Sequence, residues 1–303
     1  MSLNRREFTL GTLGALTVSG LARADTGESA LMQRAIPSSG EMIPVIGLGT
    51  NRYSVDASEA ARAPLKATLQ RFQAMGGGLI DTAPMYRQSE AVLGELLSEL
   101  GIYDDIFMAT KTDRDVEADT LPQMVRSLTR LKSDSVDLMQ IHNLKGWKHT
   151  IPMLNAWKQE GRIRYTGIST SRSRQYEELE TILTNHDLDF VQINYSLEQR
   201  ESAERLLPLA QDRGIAVIIN RAFGGGRIFS LVGDKPLPDW STEFGCESWA
   251  QFLLKYALSH PATTVVIPGM TKPHYVDDNF RAAMTRMPDA AERQRMEAFY
   301  DAL

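Results

Sequence analysis

Four polar side chains stand where apolar runs end in the first half of the chain, and together they could do chemistry. Asp81, Lys111 and His142 each end a short apolar run, and Tyr86 follows Asp81 by five residues. A polar group at the end of such a run is costly to bury unless it meets a partner. Because the four lie on three successive predicted strands and one following loop, we expect them to form a single site.

These residue types suit proton transfer to a carbonyl oxygen. A tyrosine titrates near pH 10 (about 10 in model peptides), so at neutral pH it is a weak proton donor. An ammonium beside it, from Lys111, is expected to lower the pKa of Tyr86, and Asp81 would keep Lys111 charged and in place. His142 would orient the carbonyl oxygen towards Tyr86. The set therefore predicts a general acid that protonates oxygen as hydride arrives at carbon.

The elements that must position these residues alternate regularly along the chain. Eight short apolar runs, typical of parallel strands covered on both faces, are separated by amphipathic helical patterns. This order predicts an α/β fold, a (β/α)₈ TIM barrel, in which catalytic groups lie at the carboxyl ends of the strands. A doubly wound sheet is the alternative, but Gly47-Leu48-Gly49 lacks the third glycine of its usual fingerprint. The predicted strands are 45–48, 78–80, 106–109, 136–141, 165–168, 190–193, 215–219 and 264–267.

Two connections stand out as extended loops at the carboxyl-terminal face of the predicted barrel. They cover residues 143–150, after the fourth strand, and residues 221–247, after the seventh. Long loops inside a compact domain are usually functional, so we expect substrate selectivity to lie there. A short β-hairpin is expected before the barrel, and the whole of residues 25–303 is interpreted as one domain.

Composition excludes several classes of protein. Of 303 residues, 43% are apolar and 23% charged, which is ordinary for a globular chain. The single cysteine, Cys246, excludes an internal disulfide framework and a multi-cysteine metal site, and no metal is expected. A formal net charge of −5 argues against a nucleic-acid partner. No apolar stretch of the sequence is long enough for a membrane span.

The first 24 residues resemble an export signal. Arg5 and Arg6 precede an uncharged stretch, residues 8–22, and Ala22-Arg23-Ala24 places small residues where a signal peptidase cleaves. The paired arginines are similar to the twin-arginine type, with a frayed amino-terminal helix as the alternative. We therefore expect recognition by twin-arginine export machinery, cleavage after Ala24 and a periplasmic location. That route, as the resemblance implies, carries proteins already folded around a cofactor, which would suit a tightly held nucleotide.

Four sequence blocks together resemble the aldo/keto reductase family. They are the stretch Gly78–Glu90, which contains Asp81 and Tyr86, the segments Ile43–Thr50 and Gly161–Ser169, and Ile267-Pro268-Gly269 followed by Asn279. The resemblance spans essentially the whole chain after the export segment. It implies the barrel fold, a catalytic tetrad of Asp81, Tyr86, Lys111 and His142, NADPH as the hydride donor, and a small-molecule carbonyl substrate.

The resemblance also implies where the cofactor and substrate lie. Ser169 and Gln192 correspond to residues that bind the nicotinamide carboxamide, and Asn279 with Asp278 to the adenine site. Lys272 could meet the 2′-phosphate, which would favour NADP over NAD. Loop aromatics near the barrel mouth, Tyr53 and Trp147, are predicted as apolar walls of the substrate pocket. The full predicted cofactor set is Thr50, Ser169, Thr170, Gln192, Asn220, Phe223, Gly269, Lys272, Asp278 and Asn279.

Three positions depart from the family pattern. Arg87 stands where a glycine usually follows the tyrosine, and a cation there could favour an anionic substrate or point into solvent. Thr170 replaces an asparagine that often follows the serine. Asn220-Arg221-Ala222-Phe223 replaces the aromatic that many members stack on the nicotinamide, and Arg221 could contact a phosphate or the substrate.

The sequence therefore predicts an NADPH-dependent carbonyl reductase. The alternative is a nucleotide-binding barrel that senses redox state or regulates a partner, without significant turnover. A complete tetrad disfavours it, because a pure binder needs no tuned acid. A glycosidase would need two carboxylates at strand ends, and only Asp81 is placed in that way.

Overall fold

The computed structural model describes residues 30–303. The predicted export segment, residues 1–24, lies outside the described residues. The described chain begins with an antiparallel hairpin of β1 (Gln33–Ala35) and β2 (Met42–Pro44). The expected amino-terminal hairpin is thus confirmed.

Eight parallel strands follow, and each is hydrogen-bonded to the next in chain order. Parallel bridges between Ile46 and Val266, and between Gly49 and Gly269, join the first strand to the last. The predicted (β/α)₈ barrel is therefore confirmed, with a strand at each of the eight apolar runs. The strands are β3 (Leu48–Gly49), β4 (Leu79–Asp81), β5 (Phe107–Thr112), β6 (Val136–His142), β7 (Ile163–Ser169), β8 (Phe190–Asn194), β9 (Ala216–Asn220) and β10 (Thr263–Val266).

The helices cover the outside of the barrel and begin and end at recognisable signals. Ser58 and Ser248 cap α1 and α8, because each side-chain oxygen accepts a backbone N–H of the first turn. Gly101 ends α2 in the left-handed conformation, at φ 65°. The helices are α1 (Glu59–Ala74), α2 (Ser89–Leu100), α3 (Glu117–Leu131), α4 (Trp147–Gln159), α5 (Tyr176–Asn185), α6 (Leu206–Asp212), α7 (Arg227–Val232), α8 (Trp249–Leu258), α9 (Pro273–Arg281) and α10 (Ala290–Asp301).

The two long connections are more regular than predicted. After β6 the chain turns at residues 143–146 and then enters α4, so the first loop is about half its predicted length. The second connection contains a 3₁₀ turn at Gly224–Gly226, helix α7 and a second 3₁₀ segment at Asp239–Phe244. Left-handed backbone at all three glycines, with φ from 58° to 97°, makes the turn that starts this segment. Within residues 30–303, no helix combines the length and apolar character that a bilayer span requires.

The apolar core has two parts, one between strands and helices and one inside the barrel. Alternate strand residues pack outwards against the helices, and the residues between them face the barrel axis. At the amino-terminal end of the axis Phe107, Tyr165 and Phe190 lie with ring centroids 5.5–5.9 Å apart. Ile36 and Ile43 from the hairpin region join this inner cluster. That end of the barrel is therefore filled with side chains.

Candidate active site

Inward-facing side chains change from apolar to polar along several of the strands. On β5 the inward positions are Phe107, Ala109 and then Lys111, and on β8 Phe190 is followed by Gln192. All of these side chains are buried. The carboxyl ends of parallel strands meet at one face, so the polar members are brought together there.

Asp81 and Lys111 form a buried ion pair at the centre of this face. The Lys111 Nζ lies 2.5 Å from Asp81 Oδ2 and also donates to the Thr82 carbonyl at 2.9 Å. Both side chains are almost fully buried, at 0% and 2% exposure. Burial acts to lower the pKa of Lys111, but the charge of Asp81 and the neighbouring Tyr86 outweigh it, so that this pKa is raised. Lys111 therefore stays charged in the barrel interior, as the sequence predicted.

Tyr86 and His142 lie at the same place, as the strand-end positions indicated. Lys111 Nζ is 5.4 Å from the centre of the Tyr86 ring, and the Tyr86 and His142 ring centroids are 6.2 Å apart at an interplanar angle of 87°. Tyr86 reaches this position from a 3₁₀ turn, Pro84–Tyr86, directly after β4. The structure thus brings all four predicted catalytic residues together.

The prediction that the pKa of Tyr86 is lowered is wrong. Burial raises the pKa of Tyr86, and this outweighs the opposing effect of the Lys111 charge. The phenol is consequently protonated at neutral pH, as a proton donor must be.

His142 is neutral across the physiological range. Burial and then the positive charges of Lys111, Arg172 and Lys145 lower the pKa of His142 to about 3. A neutral imidazole can donate one hydrogen bond and accept one. It can therefore hold a carbonyl oxygen without competing with Tyr86 as an acid.

Two glutamines complete the surroundings of Asp81. Gln140 Nε2 and Gln192 Nε2 both donate to Asp81 Oδ1, at 2.9 and 2.8 Å, while Oδ2 faces Lys111. The sequence analysis did not single out Gln140, although a polar residue between Met139 and Ile141 in an otherwise apolar run is a signal. Gln192, predicted at the nicotinamide, here binds Asp81 while still lining the cavity described next.

A cavity of about 1220 Å³ opens above these residues at the carboxyl-terminal face. Asp81, Tyr86 and His142 line it, whereas Lys111 lies behind the lining and donates to Asp81. All ten predicted cofactor residues line it too. The volume exceeds the usual range for a pocket that holds one small ligand, roughly 300–1,000 Å³.

Tyr53 and Trp147, predicted as pocket walls, do not line the cavity. Tyr53 is fully buried, and its hydroxyl donates to the Met270 carbonyl at 3.0 Å. Trp147 begins α4, where its indole donates to Glu178 at 2.9 Å. The apolar part of the wall is built instead from Met85, Phe223, Phe229 and Tyr275.

The cavity lining suits a nucleotide. Three of its buried polar atoms have no hydrogen-bond partner within residues 30–303, namely His142 Nδ1, Asn143 Oδ1 and Asn220 Oδ1. A Cβ placed on Gly225 or Gly226 would meet nothing within 4 Å, so the loop backbone is accessible there. Asp278 is less free, because Ser248 and Gln251 donate to its two oxygens. The residues present therefore fit a dinucleotide with amide, hydroxyl and phosphate groups.

Backbone strain is concentrated at this face. Five non-glycine residues among the described ones have φ between 53° and 60°, in the left-handed region. One ends α3, and the other four follow candidate site residues by one or two positions. Such conformations cost about 1–3 kcal/mol each and cluster where function fixes them. They are Arg87 after Tyr86, Asn143 and Leu144 after His142, and Arg221 after Asn220.

Comparisons with known proteins point to one family. A sequence model described as "Aldo/keto reductase family" matches residues 45–301. The aldo-keto reductase YhdN of Bacillus subtilis is 30% identical over 192 residues, which cover 57% of this chain and 56% of that protein. The NADH-specific methylglyoxal reductase of Escherichia coli is 25% identical, covering 71% of this chain and 81% of that protein.

Solved structures show the same likeness. The holo form of the aldo-keto reductase AKR11C1 from Bacillus halodurans is 26% identical, with a TM-score of 0.71, over 88% of this chain and 96% of that one. A Klebsiella pneumoniae aldo-keto reductase in complex with NADPH is 22% identical, with a TM-score of 0.72, over 89% of this chain and 96% of that one.

Proposed function

The chain belongs to the aldo/keto reductase family and is an NAD(P)H-dependent oxidoreductase; from this premise we propose that it reduces an aldehyde or ketone to an alcohol with NADPH. The buried ion pair of Asp81 and Lys111 beside the protonated Tyr86 is the observation that carries the proposal. When bound in the cavity, the dinucleotide would supply a hydride to the carbonyl carbon.

The chain's own residues supply the proton and the positioning. His142, neutral and buried, donates a hydrogen bond to the carbonyl oxygen and holds it near Tyr86. As the oxygen gains negative charge, the Tyr86 hydroxyl proton moves to it, and the phenolate that remains is stabilised by the Lys111 ammonium. Asp81, fixed by Gln140 and Gln192, keeps the ammonium in place.

Replacement of the tyrosine tests this assignment. A Tyr86→Phe variant removes only the hydroxyl and keeps the ring, so we expect turnover to fall by about 10²–10⁴-fold. NADPH binding, measured by quenching of protein fluorescence, should stay within about twofold, because the phenol is not needed to hold the nucleotide. A variant with full activity would overturn the role of Tyr86. Tight NADPH binding without turnover of any carbonyl by the wild type would favour a regulatory barrel instead.

NADPH is proposed over NADH because of Lys272. Its side chain lines the cavity, is exposed, and forms no ion pair within residues 30–303. A free cation there can pair with a 2′-phosphate. Lys272→Gln should reduce the preference for NADPH over NADH in kcat/KM by about tenfold. An unchanged preference would remove Lys272 from the phosphate site.

Export to the periplasm is also proposed, on the paired arginines and the cleavage pattern of residues 1–24. Mass spectrometry of the protein from its native source tests it, with a mature chain beginning at Asp25 as the expected result. Native conditions would also reveal a retained nucleotide. An intact chain in the cytoplasm would contradict this proposal and leave the reductase proposal standing.

A further inference from the structure

The cavity carries an excess of positive charge that its own acids do not balance. None of its four cationic side chains forms an ion pair within residues 30–303, where seventeen other pairs are present. Its two acids are engaged, since Asp81 pairs with Lys111 and Asp278 accepts hydrogen bonds from Ser248 and Gln251. The chain as a whole has a net charge of −5, so this local excess is not a property of its average surface. The four cations are Arg52, Arg172, Arg221 and Lys272.

Two of these cations lie near the reacting groups. Arg172 follows β7 and Arg221 follows β9, and a hydrogen bond from Asn220 Nδ2 to the Thr170 carbonyl, 3.4 Å, joins the two loops. The charge of Arg172 contributes to the low pKa of His142, and that of Arg221 acts on the pKa of Tyr86. Lys272, directly before α9, is the cation assigned to the cofactor.

The guanidinium groups of Arg172 and Arg221 have no partner among the described residues. Both side chains are exposed, and within residues 30–303 neither donates a side-chain hydrogen bond to another residue. Arg221 is moreover held with φ at 53°, a conformation that non-glycine residues seldom adopt. Most other arginines among the described residues are paired: Arg227, six residues after Arg221, makes two hydrogen bonds to Glu198.

We propose that the substrate is a carbonyl compound that also carries an anionic group, a carboxylate or a phosphate, which Arg172 and Arg221 bind. This inference rests on the proposed reductase function. The planar guanidinium presents paired N–H donors that match the two oxygens of either anion. The same charges attract anionic ligands to the cavity and repel cationic ones.

Matched aldehydes test the proposal with the full-length protein and NADPH. One pair is 4-carboxybenzaldehyde and methyl 4-formylbenzoate, and the other is glyceraldehyde 3-phosphate and glyceraldehyde. For at least one pair, we expect kcat/KM to be about tenfold or more higher for the anion. The preference should shrink as salt rises, because screening weakens exposed charges. The pair that shows it identifies the anionic group.

Variants assign the preference to residues. Arg172→Gln should lose most of it through a higher KM for the anion, with a much smaller change in kcat/KM for the uncharged aldehyde, and Arg172→Lys should keep part of it. Arg174→Gln is the matched control, since Arg174 lies in the same loop, is exposed and does not line the cavity. Arg221→Gln should also lower the preference. If it instead weakens NADPH binding and spares the preference, Arg221 does not belong to the anion site.

The outcomes separate the two proposals. Equal kcat/KM within both pairs would overturn the anion site while the reductase function stands. Equal losses for anionic and uncharged aldehydes in Arg172→Gln would overturn it too, since they would indicate a general structural role. Failure of all four aldehydes, with NADPH bound, would count against the reductase function itself and against the anion site with it.

Discussion

The two halves of the barrel interior are built on the same strands, but one is filled by apolar packing and the other holds the polar site. At the amino-terminal end, Phe107, Tyr165 and Phe190 fill the axis and the hairpin region closes it. Two to four residues further along the same strands, the inward positions are Lys111, Ser169 and Gln192, around a buried ion pair. Because side chains alternate with a period of two, a strand needs only a change of residue type to pass from packing to chemistry.

The difference teaches what each half depends on. The apolar half is stabilised by removal of hydrocarbon from water, which tolerates changes that keep volume and shape. The polar half holds a buried ion pair, whose desolvation is compensated only while both partners and their hydrogen bonds are present. We therefore expect changes in the apolar half to affect stability alone, and changes in the polar half to affect activity first.

The largest effect is expected from removal of the buried ammonium. Lys111→Met leaves Asp81 as an unpaired buried charge, which should cost about 3–5 kcal/mol of unfolding free energy. Turnover should also fall by at least about 100-fold, since the phenolate loses its counter-charge. Urea unfolding and NADPH oxidation measure the two effects.

A double variant separates the stability cost of an unpaired buried charge from the loss of turnover. In Asp81→Asn with Lys111→Met no charge is left buried, so stability should largely return while turnover stays low. Recovery of turnover in the double variant would show that the ion pair has a structural role only.

The second effect lies in the apolar half. Phe190 is fully buried, with ring centroids 5.5 Å from Tyr165 and 5.9 Å from Phe107. Phe190→Ala should cost about 3–5 kcal/mol in unfolding free energy because it leaves a cavity, whereas Phe190→Leu should cost about 1 kcal/mol. The kcat per folded molecule should change by less than about twofold. A loss of kcat like that of Lys111→Met would end the distinction between the two halves.

A smaller effect is expected at the glutamine that the sequence analysis overlooked. Gln140→Leu removes one of two amide donors on Asp81 Oδ1 and leaves the ion pair intact. A hydrogen bond to a charged group contributes about 1.5–3 kcal/mol, so kcat should fall by about tenfold as Asp81 and Lys111 lose their alignment. Met139→Leu, on the outward face of the same strand, is the control and should leave kcat unchanged. If Gln140→Leu lowers stability but spares kcat, Gln140 does not position the pair.

The sequence was sufficient for the fold and for the grouping of the four candidate catalytic residues, because both depend on local patterns. Apolar runs locate the strands, and a polar residue at the end of a run is visible without knowing its neighbours. The glutamine contacts depend on register instead, since Gln140 and Gln192 lie 59 and 111 residues from Asp81. Tyr53 was misplaced for the same reason, as its partner Met270 is 217 residues away.

Burial explains why the predicted direction of the Tyr86 pKa shift was wrong. From the sequence, the neighbouring ammonium was the visible influence on Tyr86, and it acts in the expected direction. The extent to which the phenol is withdrawn from water depends on the folded loops around it, and that effect is larger. The direction of the shift was thus set by tertiary structure and not by the residue pair.

The smallest effect is expected from pH on kcat. It sharpens the comparison between activity and stability. His142, with a pKa lowered to about 3, is neutral above about pH 5, and Tyr86, whose pKa is raised by burial, keeps its proton at neutral pH. The kcat for reduction should therefore change by less than about twofold from about pH 6 to about pH 9. A change in kcat with a midpoint near pH 6.5 would show that His142 titrates in the working enzyme.

Stability should respond to acid where kcat does not. Burial lowers the pKa of His142 to about 3 and that of His260 to about 4, whereas an unfolded histidine titrates near 6.5. The unfolded chain then binds more protons, so the free energy of unfolding contributed by these groups is complete above about pH 6.5 and falls as pH drops towards 4. Chemical unfolding at pH 7 and pH 5 measures this, with His260→Gln reducing the pH dependence without changing kcat. An equal dependence in that variant would exclude His260 as a source of the acid sensitivity.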